Sequence, residues 1–240
     1  MEETGNWVEL DDSGWERLYR ETLDDPFPYY GLREMKGEES FYRIDYCGSL
    51  FVPPEEEPDK VCAVSFWLPT EYLEEHGPTQ VRELALELAA SLPFCSGHAG
   101  FAFNTEHDLL YAKPELRKLC FLYPGMDAPR ISTLAMELGT KVRSASWLTF
   151  LGQPVLGELG GPAGLRSRLH SPDITVQELE GEHIVVTLGL WPEAGEDGRI
   201  PPAYRELARV LEPRLFHEKC LRDPTLIPEE LRRWERRLLD

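Results

Sequence analysis

Residues 146–169, SWLTFLGQPVLGELGGPAGLRSRL, contain the pattern that decides the fold of this chain. Trp147 and its apolar neighbours favour a short buried strand, and the Gly-Gln-Pro sequence at 152–154 predicts a turn after it. Gly160 and Gly161 allow the backbone to turn where a side chain would clash, and Pro162 suits the first position of a helix. Because this stretch holds no pair of nucleophile and base, it predicts scaffold rather than a reactive site.

Apolar spacing along the rest of the chain changes between strand-like and helical periods, which predicts an α+β fold. We expect a mixed or antiparallel sheet, or sheets, flanked by amphipathic helices. Strands are predicted over 41–51, 61–68, 97–104, 174–178 and 183–190, and helices over 78–92, 129–141, 204–211 and a last segment marked by Leu231, Trp234 and Leu238. Segment 61–68, VCAVSFWL, is apolar almost throughout, so we expect a central strand covered on both faces.

Ser13 and Glu16 have the spacing of a capping box at the start of a short helix. The Ser13 hydroxyl would bond the third helical amide, and Glu16 would reach back to the cap. The helix is then expected to place four residues on one face: Trp15, Leu18, Tyr19 and Thr22.

The segments that begin near Phe66 and near Trp147, about 80 residues apart, show a similar order of aromatic strand, Gly-Pro helix start and later strands. This order is compatible with two related β-helix-β halves. A chain of 240 residues buries roughly 70–75% of its unfolded surface, which is enough for one core. We therefore expect a single domain over 1–240, with an acidic N-terminal segment 1–60 and a main α+β body 61–240; two small domains are the alternative.

The net charge is −18, and residues 1–60 hold 17 Asp or Glu against 6 Lys or Arg. Proteins that bind nucleic acid directly need clustered basic residues, so this class is not expected. An acidic surface either keeps a protein soluble or attracts a basic partner. No apolar run approaches the ~20 residues that span a bilayer. The acidic start MEETGNWVELDD lacks the apolar core of a secretory signal, so we expect a cytoplasmic protein.

The acidic residues of the first quarter supply the candidate partner-binding set: Asp24, Asp25, Glu38, Glu39, Glu55, Glu56, Glu57 and Asp59. Segment 53–60, PPEEEPDK, contains three prolines that stiffen it. Such a loop could present several negative charges to a basic cleft at a low ordering cost. A solvated connector with no binding role is the alternative.

Cysteine, histidine and glycine residues occur in the sequence, but not at the spacings of known metal-binding or nucleotide-binding motifs. The five cysteines are far apart and form no disulfide framework or Cys-x-x-Cys pair, so we expect them to be reduced and mostly buried. The six histidines show no helical i, i+4 pair and no cysteine at ligand spacing. The glycines at 157, 160, 161 and 164 match neither the P-loop nor the dinucleotide fingerprint. No catalytic, cofactor or metal site is predicted.

The turn 96–100, SGHAG, is the one place where a histidine could lie in a pocket. Ser96 is not a nucleophile elbow, because Phe94 stands where that motif needs glycine. A hydrolase that uses His98 with an Asp or Glu brought near by the fold is an alternative to a hydrogen-bonded structural histidine. The C-terminal run RRWERR at 232–237 alternates with acids, so it predicts a docked helix with a salt-bridged outer face.

Several segments in a fixed order resemble a family of bacterial immunity proteins that are encoded beside type VI secretion and other polymorphic toxins, particularly VRR-NUC nucleases. The segments are LPF at 92–94, SGHAGF at 96–101, then 147–161, 202–213 and RRWERR at 232–237, and the resemblance covers most of 40–240. Where the family has a Gly-Asp loop, this chain has GEDG at 195–198.

The resemblance implies a cytoplasmic inhibitor that binds a cognate toxin protein, expected to be a nuclease with a basic cleft, and that needs no cofactor. It implies no catalytic residue. A non-toxin adaptor and the His98 hydrolase are the competing functions.

Overall fold

The computed structural model describes residues 9–34, 42–49, 56–104, 114–219 and 228–239. The chain forms two compact units. The N-terminal unit contains residues 1–75 and 130–139, and the C-terminal unit contains residues 76–129 and 140–240. The prediction of one domain over 1–240 stays a prediction.

The described helices and strands follow one another in mixed order, and both sheets are antiparallel, which confirms the α+β class. In chain order they are α1 (Asp12–Asp24), β1 (Tyr29–Arg33), β2 (Arg43–Cys47), β3 (Ala63–Trp67), α2 (Thr70–Ala90), β4 (Ser96–Ala99), α3 (Pro114–Leu122), α4 (Ile131–Glu137), β5 (Leu148–Leu151), α5 (Val155–Glu158), α6 (Gly161–Arg166), β6 (Ile174–Leu179), β7 (His183–Leu188), α7 (Pro202–Leu211), a 3-10 turn (Glu212–Arg214) and α8 (Pro228–Glu235).

The N-terminal unit is built on a three-stranded sheet in the order β1-β2-β3, with α4 packed against β2 and β3. A buried Asp45 lies at its centre, where the Oδ2 atom is 2.8 Å from Nε of Arg43 and accepts a hydrogen bond from the Ser65 hydroxyl at 3.3 Å. The Arg43 guanidinium stacks over Trp67 at 4.4 Å. This network fixes the strand register through polar contacts.

Strand β3 contradicts the prediction of a central strand in segment 61–68, because it lies at the edge of its sheet. Phe66 on β3 is 39% exposed. A run of apolar residues indicates that both faces of a strand are suited to burial. It does not show whether other elements of the same chain pack on those faces.

Helix α1 corrects the predicted capping box. The cap residue is Asp11, whose carboxylate accepts hydrogen bonds from the Gly14 amide and the Ser13 hydroxyl, both at 2.8 Å. A carboxylate next to four free amides is a stronger acceptor than a hydroxyl, so the helix begins earlier than predicted. These hydrogen bonds also lower the pKa of Asp11.

Helix α2 begins at Thr70, before the predicted Gly-Pro start, and is interrupted at Gly77, where φ is +76°. A φ of this sign is accessible to glycine at little cost, and Pro78 then restarts the helix. The chain passes from the N-terminal to the C-terminal unit at Glu75 and His76, beside this kink. The strand pair β3 and β4 therefore does not form one β-helix-β half, since β3 and β4 belong to different sheets.

The C-terminal unit is built on a four-stranded sheet in the order β4-β5-β7-β6. Strands β5 and β7 are central, and Leu148, Leu151, Ile184 and Leu188 on them are fully buried. Helix α7 buries the predicted stripe against the same core: Tyr204, Leu207, Ala208 and Leu211. The predicted turn at 160–161 is confirmed by positive φ at both glycines.

Helix α8 packs Leu231 and Trp234 into a second, smaller core with Cys120 and Ala128. The RRWERR run was predicted to form salt bridges on the outer face of the helix. This prediction is correct for Arg236, which is partly exposed and pairs with Glu212 at 3.1 Å. It is wrong for Arg237 and Glu235, whose side chains are 4% and 1% exposed. Glu235 pairs with Arg232 of the same run at 2.7 Å, but it also contacts His217 and the Glu218 amide, and Arg237 donates to the carbonyls of Pro124 and Met126. A local charge pattern does not contain these distant partners.

Candidate functional site

Five of the eight predicted partner-binding acids lie in the described part of the N-terminal unit: Asp24, Asp25, Glu56, Glu57 and Asp59. Glu38, Glu39 and Glu55 lie outside the described residues.

One contact links the two segments that carry the described acids. Asp24 and Asp25 end α1, and the Asp25 carboxylate accepts a hydrogen bond from the Phe27 amide at 2.8 Å. The ring of Phe27 is 5.2 Å from Nζ of Lys60, which is also paired with Glu57 at 2.6 Å. The end of α1 and the loop 56–60 therefore meet at the contact between Phe27 and Lys60, an arrangement that no local pattern predicts.

Charge is distributed unevenly between the units. The N-terminal unit holds 21 Asp or Glu and 7 Lys or Arg, a net charge of −14, while the C-terminal unit holds 22 and 18, a net charge of −4. The smaller unit thus carries most of the negative charge.

Apolar surface follows the same distribution. Fourteen large apolar side chains of the described residues are exposed, and ten of them belong to the N-terminal unit. These ten are Leu10, Trp15, Tyr19, Leu23, Phe27, Tyr29, Tyr42, Ile44, Phe66 and Leu68. Both hydrophobic core clusters, by contrast, consist of residues of the C-terminal unit. Within the described residues, the N-terminal unit therefore combines most of the net negative charge with most of the exposed large apolar side chains.

Helix α1 also departs from its predicted apolar face. Leu18 is buried at 6% exposure, but Trp15 and Tyr19 are 53% and 70% exposed. An amphipathic pattern does not distinguish a face that packs on its own chain from one that is left to a partner.

The alternative site around His98 does contain an acid. Nε2 of His98 is 3.3 Å from Oδ2 of Asp127. Asp127 also contacts Nη2 of Arg143 at 3.3 Å and accepts a hydrogen bond from the Ala128 amide at 2.8 Å, while Nη2 of Arg237 is 3.6 Å away. Burial alone would raise the pKa of Asp127, but Arg143, His98 and Arg237 hold it well below its ordinary value.

The contacts of this charged cluster are typical of a structural role, in which buried side chains hold separate segments of the backbone together. Burial lowers the pKa of Arg237 to about 10, and its guanidinium donates to the carbonyls of Pro124, Met126 and Trp234. Among the described hydroxyl residues around His98, Ser96, Ser146 and the cross-strand neighbour Thr149 donate to backbone carbonyls, at 2.6, 3.0 and 3.2 Å. A nucleophile activated by His98 would need such a hydroxyl within reach.

Within the described residues, no group of three or more His, Cys, Asp or Glu side chains could hold a metal ion. None of the helices described there has the length and apolar character required to cross a lipid bilayer.

Comparison with known proteins relates the whole chain to one family. The chain is similar in fold to a solved structure from Pseudomonas aeruginosa, the T6SS protein PA0821, with a TM-score of 0.72 and 23% sequence identity. The alignment covers 92% of this chain and 66% of that protein, so this chain spans less than two thirds of its length. Comparison with curated proteins gives no significant match. The family model TsiV, "Type VI immunity for VRR-NUC", matches residues 1–238, which extends the resemblance over 40–240 to the acidic N-terminal segment. The chain therefore belongs to the TsiV family of type VI immunity proteins.

Proposed function

We propose that this protein is a cytoplasmic immunity protein that neutralises a VRR-NUC-type nuclease toxin by stoichiometric, non-covalent binding, and that it acts without catalysis. Membership of the family described as type VI immunity for VRR-NUC supports the toxin partner. The observation that carries the binding model is the charge of the N-terminal unit, −14 in 85 residues.

The physical reason is competition for a site that binds phosphate. A nuclease needs basic residues to hold the nucleic-acid backbone, and an acidic protein is attracted to the same residues over long range. The proposed contact residues are Asp24, Asp25, Glu38, Glu39, Glu55, Glu56, Glu57 and Asp59. The contact between Phe27 and Lys60, which links the segment after α1 to the loop 56–60, supports their grouping. Competition for a basic cleft also explains why an inhibitor of a nuclease needs no reactive group.

The proposed function is tested by co-expressing the chain with the protein encoded by the adjacent gene. Growth rescue together with a stoichiometric complex in the same lysate is the expected result. A toxic neighbour that is neither bound nor neutralised would contradict the proposal.

The His98 hydrolase is the second candidate, because His98 and Asp127 lie 3.3 Å apart as a base and its orienting acid would. His98→Ala separates the two functions. On the immunity model the folded variant still binds and neutralises the toxin, whereas a hydrolase would lose its turnover and, with it, any protection. An adaptor with another partner would give a complex from lysate but no rescue.

A further inference from the structure

Helix α1 carries a line of exposed apolar side chains on an otherwise acidic helix. Trp15, Tyr19 and Leu23 are four residues apart and are 53%, 70% and 67% exposed. With a rise of 1.5 Å per residue, the line is about 12 Å long. Leu18 is the buried residue of this helix, so α1 is held through Leu18 while the line stays uncovered.

A shallow stretch of surface, open to solvent, runs along the same helix. Its lining consists of Glu16, Tyr19, Arg20, Leu23 and Asp24. Tyr19 and Leu23 therefore lie between two carboxylates, Glu16 towards the start of the helix and Asp24 at its end, with Arg20 between the two apolar residues. An apolar recess with Lys or Arg at the two ends of its rim would match this order of charges.

The types and spacing of these residues favour a protein partner. Trp and Tyr are the residues most often found at binding hot spots, because they bury a large area at a low entropic cost. Single exposed apolar residues are ordinary on a soluble protein. Three of them along one helix have the i, i+4, i+8 spacing that is typical of helices bound in apolar grooves.

Charge decides against a second copy of this chain as the occupant. Residues 9–25 hold seven Asp or Glu and two Arg, a net charge of −5. The helix itself, Asp12–Asp24, holds four of these acids and both Arg, a net charge of −2. Two copies of segment 9–25 packed on each other would bring together two net negative charges, which is destabilising, whereas a basic-rimmed groove would gain from the same charges.

We propose that α1 is the anchor of the toxin complex, with Trp15, Tyr19 and Leu23 inserted into an apolar groove of the toxin that has a basic rim. This inference rests on the proposed function and adds the mode of binding: the acids speed the encounter, and the apolar line slows dissociation.

The test compares two pairs of exposed apolar residues, one in each unit. The first variant is Tyr19→Ala with Leu23→Ala, and its matched control is Leu190→Ala with Trp191→Ala, whose residues are 69% and 46% exposed in the C-terminal unit. Alanine is the best helix former, so α1 is preserved. Circular dichroism and the urea midpoint check folding.

Binding to the adjacent-gene protein is measured by surface plasmon resonance at several salt concentrations. Loss of hot-spot contacts weakens binding by roughly 30-fold or more in the Tyr19 and Leu23 variant, mainly through faster dissociation. The control pair stays within about twofold of the wild type. Glu16→Gln with Asp24→Asn slows association and flattens its salt dependence.

Three results would overturn the inference. If the wild type binds and both alanine pairs bind equally well, the immunity function stands and the anchor is wrong. If light scattering shows a wild-type dimer that the Tyr19 and Leu23 variant converts to a monomer, the line is a contact between copies. If the wild type forms no complex at all, the proposed function fails and the inference fails with it.

Discussion

The adjacent arginines Arg236 and Arg237 offer a direct test of how the C-terminal helix is held. Arg237 is buried, with its guanidinium 3.8 Å from the Trp234 ring and hydrogen-bonded to the carbonyls of Pro124 and Met126 at 3.0 Å. Arg236 is 39% exposed and pairs with Glu212, which is itself 47% exposed. Arg237→Met removes the buried cation and keeps much of the side-chain volume, and Arg236→Met makes the same change on the surface.

The expected losses of stability differ severalfold. Removing one partner from a buried charged network costs about 3–5 kcal/mol, because buried carbonyls lose a donor that water cannot replace and Asp127 loses a nearby positive charge. An exposed pair contributes at most about 1 kcal/mol. With an m-value of about 3 kcal/mol per M of urea, the midpoint of unfolding falls by roughly 1 M or more for Arg237→Met and by about 0.3 M or less for Arg236→Met.

Tryptophan fluorescence during urea unfolding measures both midpoints. Circular dichroism without urea confirms that each variant starts folded. Equal shifts of the two midpoints would refute the reasoning. Both variants remove one positive charge, so the larger loss of stability expected for Arg237→Met depends on the burial of Arg237.

Four further predictions follow from the fold and the surface. Neutralising Glu55, Glu56 and Glu57 together should slow association with the toxin and weaken its salt dependence in stopped-flow measurements; unchanged kinetics across ionic strengths would remove this loop from the binding model. The folded-state pKa of Asp127 lies well below 3.8, so its contribution to stability is present above that pH and is lost as the pH falls further; urea midpoints between pH 5 and 2.5 should fall less steeply in Asp127→Asn than in the wild type. Cys62 is exposed whereas burial raises the pKa of Cys120 to about 12, so mass spectrometry after brief alkylation at pH 8 should find label on Cys62, and on Cys120 only after unfolding. Leu207→Ala, at a fully buried site, should cost about 2–5 kcal/mol in urea unfolding, and a loss below 1 kcal/mol would mean that the core closes around the cavity.

The sequence predicted correctly those helices, strands and turns whose structure follows from their own local residues. The strand at 148–151, the turn at 160–161 and helix α7 were predicted correctly, because their apolar spacing has one solution in a packed core. The cap of α1 was misplaced because Ser13 and Asp11 compete for the same amides, and the carboxylate binds them more strongly.

Other features depend on residues that are far apart in the sequence. Arg237 is buried because Pro124, Met126 and Asp127 surround it, more than 100 residues away along the chain. Likewise, the candidate acidic residues could be named from composition, but the contact between Phe27 and Lys60 that links their two segments depends on tertiary structure. Two residues of the exposed line on α1, Trp15 and Tyr19, were predicted to share a helix face, but Leu23 was not part of that face, and the sequence did not show that these side chains are exposed to solvent.

Among the residues that the structure describes, the two hydrophobic clusters lie in the C-terminal unit and most of the exposed large apolar side chains lie in the N-terminal unit, which also carries most of the net negative charge of the sequence. If the toxin binds the N-terminal unit as proposed, the residues that stabilise the packed clusters differ from the residues that bind the toxin. A substitution that adapts the binding surface to an altered toxin then costs little stability, since it leaves the packed clusters untouched. The binding surface of such an immunity protein can change by single substitutions as the toxin changes, and the protein stays folded at each step.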